Sequence, residues 1–529
     1  AVPRRTSTRR NREGHLPAPN AFPRCDAAPT TEAQREIFHA VQMGDEANCA
    51  FNESNIIRFD GDLDITALKS ALADIVARHS ALRSTFSEDG DTQYFHPSND
   101  SVELIEHDFR SLNPNSPSSS VPISLIKRSE SSMPFDLTNG PLVRVELIRL
   151  SNERHELIFT AHHMVCDGWS FGMILSELAI AYNARKTGKL PRIAPAMSFA
   201  EYARQEKRRN DSRESQPAED YWVAKYINGS PVLDLPTDRS RPPVKGYRGA
   251  MESIGLDSAR FERLKKASPS LGGTVFATLL TSFATLLHRL TGQDDLVIGV
   301  PAAGQTRIGC DELIGHCLNF LPLRLHPGSD RSFKEFAAEV RENVLESYDY
   351  QDFTFGSLLR KIPLERDTSR VPLVSVIFNI DKNGTDQIRF DDLRFDVETN
   401  PKQFVNFDLF FNLVQTDTRM VVECEYNTDL HDASTIKGWL EAFEQIVDSA
   451  IADGETTLGN LNMLTQSDRN LMAAWNHTSR PIGAQASIQQ FFEEQADRQP
   501  DSTALRAGGR SFSYSELDRH ANALAEVLI

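Results

Sequence analysis

Two adjacent imidazoles, a carboxylate four residues after the second, and a glycine directly after that form the run His162-His163-Met164-Val165-Cys166-Asp167-Gly168. Of all segments in this 529-residue chain, its residue types are the ones best suited to chemistry. An imidazole titrates near neutral pH and can take or share a proton there. A carboxylate orients neighbouring groups, and a glycine lets the backbone turn and come close to another molecule. Three uses compete. The run can be a strand end whose polar residues face solvent. It can be a metal site, but adjacent residues on a strand point to opposite faces, so His162 and His163 do not easily reach one ion. Or it can handle a proton in acyl transfer, with one histidine facing inward as support, the other facing a channel, and Asp167 holding the loop.

Such a run needs rigid supports. Residues 143–150 alternate as a strand should, 151–154 read as a turn, and 156–161 as the second strand of a hairpin that delivers His162 and His163 at its end. Residues 170–184 return to helical spacing with Phe171, Ile174, Leu175 and Leu178. The segment from His162 to Ser170 is therefore a strand-to-helix connection. Upstream, Thr31 to Gln34 resembles a capping box, and Ala67, Leu68, Ala71, Leu72, Ile75 and Val76 mark one face of a helix. Loops are expected at 111–120 and 209–219. A second α/β half is expected after about 247, with a helix at 274–291, a strand at 295–300, strands near 373–380, 407–415 and 419–426, and a helix at about 435–452.

Length favours about three units. The net charge of −17 argues against nucleic acid as a partner. The six cysteines are scattered and form no CxxC pair, as expected of reduced thiols in a cytoplasmic enzyme. No apolar run is long enough to span a membrane. Residues 1–26, basic and aperiodic, read as a flexible linker cut from a longer polypeptide. Residues 466–485 read as a second linker, and 486–529 begin a new α/β pattern with helix 487–497, a hairpin over 503–512 and a helix from 515 that stops within the element.

The run HHxxxDG resembles the signature of the chloramphenicol-acetyltransferase-like superfamily, and the chain as a whole resembles its condensation-domain branch from non-ribosomal peptide synthetases. Further segments carry the resemblance in order: TTEAQREIFHA at 30–40, RHSALRSTF at 78–86, SFAEYA at 198–203, IGVPAAGQ at 298–305, IGHCLNFLPLR at 314–324 and YQDFTF at 350–355. FSYSEL at 512–517, after FFEEQADRQPDSTAL, resembles the start of an adenylation domain.

The resemblance implies an α/β (α+β) fold of two chloramphenicol-acetyltransferase-like lobes, 27–195 and 196–465, arranged as a V-shaped pseudo-dimer with a central tunnel. It implies amide formation between an acyl or peptidyl thioester and the α-amine of an aminoacyl thioester. Both arrive on phosphopantetheine arms of an upstream donor carrier and a downstream acceptor carrier. The adjoining adenylation domain completes the set of partners. A monomer is expected, with no cofactor and no metal held by the chain itself. His163 would contact the reacting amine as base or positioner, and the backbone N–H of Gly168 would face the oxyanion. His162 would pack inward. Asp167 would pair with Arg83 or Arg324, which would support the motif, and Trp169 would lie in the core. Two alternatives remain: an epimerization domain, which also carries HHxxxDG but needs a glutamate segment absent from 398–408, and a non-catalytic domain that only docks a carrier, against which the intact motif argues. The VCDGWS and IGHCLN segments, together with residues 48–53, resemble condensation domains that follow polyketide modules and suggest an acyl or L-configured donor.

Overall fold

Thr31 begins the first helix, Glu32–Val41, with a complete capping box: its hydroxyl accepts from the Gln34 amide, and the Gln34 side chain accepts from the Thr31 N–H. The structure is a computed structural model and describes residues 26–97, 102–111, 117–210, 212–307, 309–382, 387–415, 420–479 and 487–529. The linker expected at 1–26 therefore lies, except for Asp26, outside the described residues. The chain divides into two units, the first ending at Thr465 and the second running from Gln466 to Ile529.

The first unit is built on two main sheets. A five-stranded sheet runs in the order Arg394–Thr399, Asn52–Asp60, Arg154–His162, Val143–Arg149, Leu104–Asp108. Helices Ile65–Arg78 and Gly168–Lys186 cover it, and their apolar faces join one core with Phe59, Leu147 and Leu157. A six-stranded sheet runs Leu318–Leu325, Leu296–Ala303, Val376–Lys382, Leu409–Gln415, Met420–Asn427, Gly249–Leu256. Its core is separate and packs helices Val275–Thr291, Phe333–Asp349 and Ala433–Ala452. A small three-stranded sheet, Asp26–Pro29, Thr92–Phe95 and Ser84–Phe86, lies beside helix Phe199–Asn210.

The expected halves are not self-contained. Strand Arg394–Thr399, from the second half, pairs antiparallel with Asn52–Asp60 at the edge of the first sheet, Val397 opposite Ile57. Ile314, Ile388 and Phe390 fill the first half's core as well. The alternation of Phe395 and Val397 suits a half-buried edge strand in either sheet, so sequence alone did not assign it.

Helices enter both expected loops. Helix Pro117–Ser132 takes the end of the loop expected at 111–120 from residue 117 on, and residues 112–116 lie outside the described residues. Ile123 and Ile126 pack on Ile56, Ile148 and Ile158, and the serine-rich lead-in obscured that spacing. Helices Phe199–Asn210 and Gln216–Tyr226 likewise take both ends of the loop expected at 209–219, with a 3-10 turn at Arg213–Ser215 between them, and Trp222 and Tyr226 are core residues.

In the second unit, helix Gln466–Trp475 occupies the first half of the expected linker and buries no residue. Helix Ile488–Arg498, the hairpin Thr503–Ala507 with Arg510–Ser513, and helix Tyr514–Leu528 follow as the spacing predicts. Gly508 and Gly509 turn the hairpin at φ 55° and 77°, where side-chain-bearing residues are strained.

Candidate active site

Strand Arg154–His162 carries the motif to the seam between the two halves, and alternation sorts its side chains. His162 pairs with Asn52 in the register. Its ring is fully buried, edge-on to Phe135 at 5.8 Å, and its Nδ1 accepts from the Met164 N–H. Burial, and then the positive charges of His163 and Arg144, push its pKa down to about 3. His162 is a neutral core group.

His163 lies on the other face. Its N–H continues the ladder by donating to Phe51 O at 2.8 Å, and its ring is 19% exposed. Glu53 stands opposite Ala161 and so shares the face of His163. Its Oε1 lies 3.7 Å from His163 Nε2 and 3.0 Å from Lys402 Nζ, and Lys402 in turn reaches Glu425 at 3.4 Å. Burial alone would raise the Glu53 pKa, but Lys402 and His163 outweigh it and lower it, so Glu53 is ionised. On the other flank, His163 Nδ1 is 3.0 Å from Nδ1 of His316, with the rings at 87°. His316 is buried, and that burial, with the imidazoles of His163 and His162 close by, holds its pKa well below the ordinary value. His163 is thus bracketed by a carboxylate from its own half and an imidazole from the other.

Asp167 caps helix Gly168–Lys186 and is wholly buried. It accepts from the Ser170 N–H at 2.8 Å, the Ser170 hydroxyl at 2.6 Å, Gln305 Nε2 at 3.1 Å and the Cys317 N–H at 3.1 Å. Gln305 and Cys317 belong to the second half, and the Ser170 hydroxyl bonds Gly315 as well. This corrects the expected pairing with an arginine. Arg83 folds back on the Val76 carbonyl at 2.9 Å and also bonds that of His96, while Arg324 grips Asp295 at 2.7 and 3.0 Å. Neutral N–H and O–H donors satisfy the Asp167 carboxylate in their place. The neighbouring Arg78 and His79 meet Glu177 at 3.0 and 2.6 Å and tie the two helices over the first sheet together.

Gly168 has no left-handed φ, so its turn did not require glycine. A Cβ there would meet only Asp381 Oδ1, at 3.9 Å across the seam, so the missing side chain leaves room. Asp381 is open to solvent yet surrounded by protein, and that enclosure raises its carboxyl pKa. As the first residue of the helix, Gly168 presents an N–H with no intrahelical partner. Trp169, expected in the core, is 39% exposed and donates Nε1–H to Asp311 O. Among the described residues no cluster of His, Cys, Asp and Glu could hold a metal.

Glu53 and His316 were both within segments that carried the resemblance, but nothing in their local sequence marked them as neighbours of His163. Their signal is the register of two strands and the meeting of two residues, His163 and His316, that lie 153 positions apart in the chain.

The family model described as "Condensation domain" matches residues 25–473. The chain belongs to the condensation-domain family. It is 32% identical over 516 residues to one subunit of the linear gramicidin synthase of Brevibacillus parabrevis, covering 96% of this chain and 10% of that protein. It is 28% identical to surfactin synthase subunit 1 of Bacillus subtilis (strain 168), covering 95% of this chain and 14% of that protein. The chain thus spans a small fraction of the length of the curated relatives it matches. Among solved structures, the X-domain from teicoplanin biosynthesis aligns with TM-score 0.72 and 27% identity, over 85% of this chain and 100% of that one. The first condensation domain of the CDA synthetase aligns with TM-score 0.72 and 21% identity, over 83% and 99%, a likeness of fold. The paired chloramphenicol-acetyltransferase-like halves are therefore the architecture of this condensation domain. No single helix among its described residues is long and apolar enough to cross a membrane.

Proposed function

We propose that the chain forms an amide bond between a carrier-bound acyl or peptidyl thioester and the α-amine of a carrier-bound aminoacyl thioester, with His163 at the reacting amine. The observation that carries this reading is the placement of His163. It is the partly exposed imidazole of the motif, at the seam of two halves, beside an ionised carboxylate.

The amine must lose a proton to attack and to leave the tetrahedral intermediate neutral at nitrogen. An amine set beside the 3.7 Å gap between His163 Nε2 and Glu53 Oε1 has an acceptor at one atom and a negative charge at the other. Holding two thioesters together lowers the barrier by several kcal/mol by itself. The oxyanion that forms needs a donor, and the Gly168 N–H at the positive end of a 19-residue helix is suited to that. His162 and Asp167 hold the loop. The upstream and downstream carriers, and an adenylation domain beginning in the second unit, belong to the same reading. No cofactor enters it, since the reactive groups come on the carriers' phosphopantetheine arms. An acyl or L-configured donor follows from the resemblance of 48–53 and of the VCDGWS and IGHCLN segments, and direct competition against a D-aminoacyl donor tests it.

The deciding experiment is His163→Ala with both carriers loaded and products read by mass spectrometry. The variant folds normally and loses amide product. A rate near that of the unsubstituted protein removes His163 from the chemistry. Epimerised substrate without amide product would favour the epimerization reading.

A further inference from the structure

His316 is the nearest group to His163 from the second half, and the reading above leaves it unused. A base works through an unprotonated nitrogen, and a neutral imidazole has one nitrogen protonated and one free. The neighbour of the remote nitrogen decides which is which. Among the described residues the hydrogen-bond partner of His163 Nδ1 is His316 Nδ1, at 3.0 Å. One proton lies between the two atoms, so one ring donates and the other accepts.

We propose that His316 is a positioning residue that accepts the Nδ1–H of His163 and so leaves the His163 lone pair at Nε2, on the side of Glu53. The proposal rests on the reading of His163 as the group at the reacting amine.

Three observations support this direction. First, Nε2 faces Glu53 across 3.7 Å, too long for a hydrogen bond, and the Glu53 charge is met by Lys402 at 3.0 Å, so Nε2 is not held as a donor to that carboxylate. Second, His316 can accept only while neutral. A charged ring at 316 would have to donate, force the lone pair of His163 to Nδ1 and put the proton on Nε2. His316 is 4% exposed with a second imidazole and His162 nearby, so the charged form is disfavoured. Third, if Nδ1 accepts, the other nitrogen of His316 carries hydrogen. His316 also lines a cavity of about 160 Å³ whose wall holds Glu206 and Asp352, so carboxyl oxygens share the cavity with His316. When His163 takes the amine proton at Nε2, the Nδ1–H bond to His316 stays in place, so nothing need reorganise during the step.

The test reads the tautomer directly. Histidine-selective ¹⁵N labelling of the full chain, with the His163 signals assigned by their loss in His163→Gln, reports which nitrogen is protonated at neutral pH. The expected result is a protonated Nδ1 and free Nε2, shifting toward protonated Nε2 in His316→Phe, which keeps a ring in the buried slot. In amide formation between two loaded carriers, His316→Phe lowers kcat by roughly 10²-fold with little change in KM. His316→Asn, whose side-chain oxygen can stand near the Nδ1 position, restores the rate to within a few-fold. A His163 found protonated at Nε2 in the unsubstituted protein overturns the proposal, as does an equal rate for the Phe and Asn variants. The NMR readout needs no turnover and so judges this proposal separately from His163→Ala. It also stands if His316→Phe fails to fold.

Discussion

Removing the Asp167 carboxylate should damage the fold before it damages the chemistry. In Asp167→Ala, helix Gly168–Lys186 loses its side-chain cap, worth about 1 kcal/mol. The Cys317 N–H and the Gln305 amide, both buried in the second half, lose their acceptor, at about 1–3 kcal/mol each. Relief from burying a carboxylate offsets part of this, leaving a net loss of about 3–5 kcal/mol. At roughly 2 °C per kcal/mol for so large a unit, the melting temperature falls by roughly 5–10 °C. Asp167→Asn is the informative companion. Its oxygen still caps Ser170, and Gln305 Oε1, which has no partner among the described residues, can turn to accept from the new amide. The Cys317 N–H is then left without its acceptor, while Gln305 Nε2 only takes the unpartnered place of Oε1, so the net cost is about 1–2 kcal/mol. Differential scanning calorimetry, with amide formation measured on the same samples, checks the order Ala below Asn below unsubstituted. An Asp167→Ala protein that melts like the unsubstituted one yet makes no amide would refute this reasoning and give the carboxylate a chemical role.

The remaining predictions concern other groups. Glu36 is enclosed at the N-terminus of helix Phe355–Leu359, where it accepts from the Gly356 N–H, and burial raises its pKa to about 8. The folded chain keeps this proton up to about pH 8 while the unfolded chain releases it near 4.5. Rising pH between those values therefore favours unfolding, by up to ~1.4 kcal/mol per pH unit. Glu36→Gln should flatten the fall of melting temperature with pH, and identical slopes would show that Glu36 is not the cause. Glu177→Ala strands Arg78 and His79, and chemical denaturation should show about 3–5 kcal/mol lost. Gly168→Ala has an ordinary φ and open space toward Asp381, so stability should hold or rise by a few tenths of a kcal/mol. Its methyl group enters the seam, so the rate of amide formation should drop, and an unchanged rate would remove Gly168 from the oxyanion site.

The hairpin that delivers the motif, the helix that follows it and the capping box at Thr31 were legible because each is local, set by alternation, helical spacing or a three-residue reach. What surrounds His163 was not. Glu53 reaches it through strand register, and His316 through contact between halves. Asp167 was misread for a related reason. A buried carboxylate suggests an arginine, but here several neutral donors from distant segments satisfy it, and such a set leaves no charge pattern in sequence. Helix Pro117–Ser132 was hidden because the apolar residues that pack, Ile123 and Ile126, follow a run of serines.

The edge strand Arg394–Thr399 bears on how such domains can be recombined. Asn400 bonds Ser54 and the Lys127 carbonyl just beyond it, and Lys402 reaches Glu53. By packing, then, this stretch belongs to the half that precedes residue 196. A chimera joined at 195/196 that takes its C-terminal part from a relative would import a foreign edge into the sheet that carries His163. It would also import a foreign partner for Glu53. Grafts that move 394–402 together with the N-terminal part keep both matched, so the workable exchange unit is discontinuous along the chain.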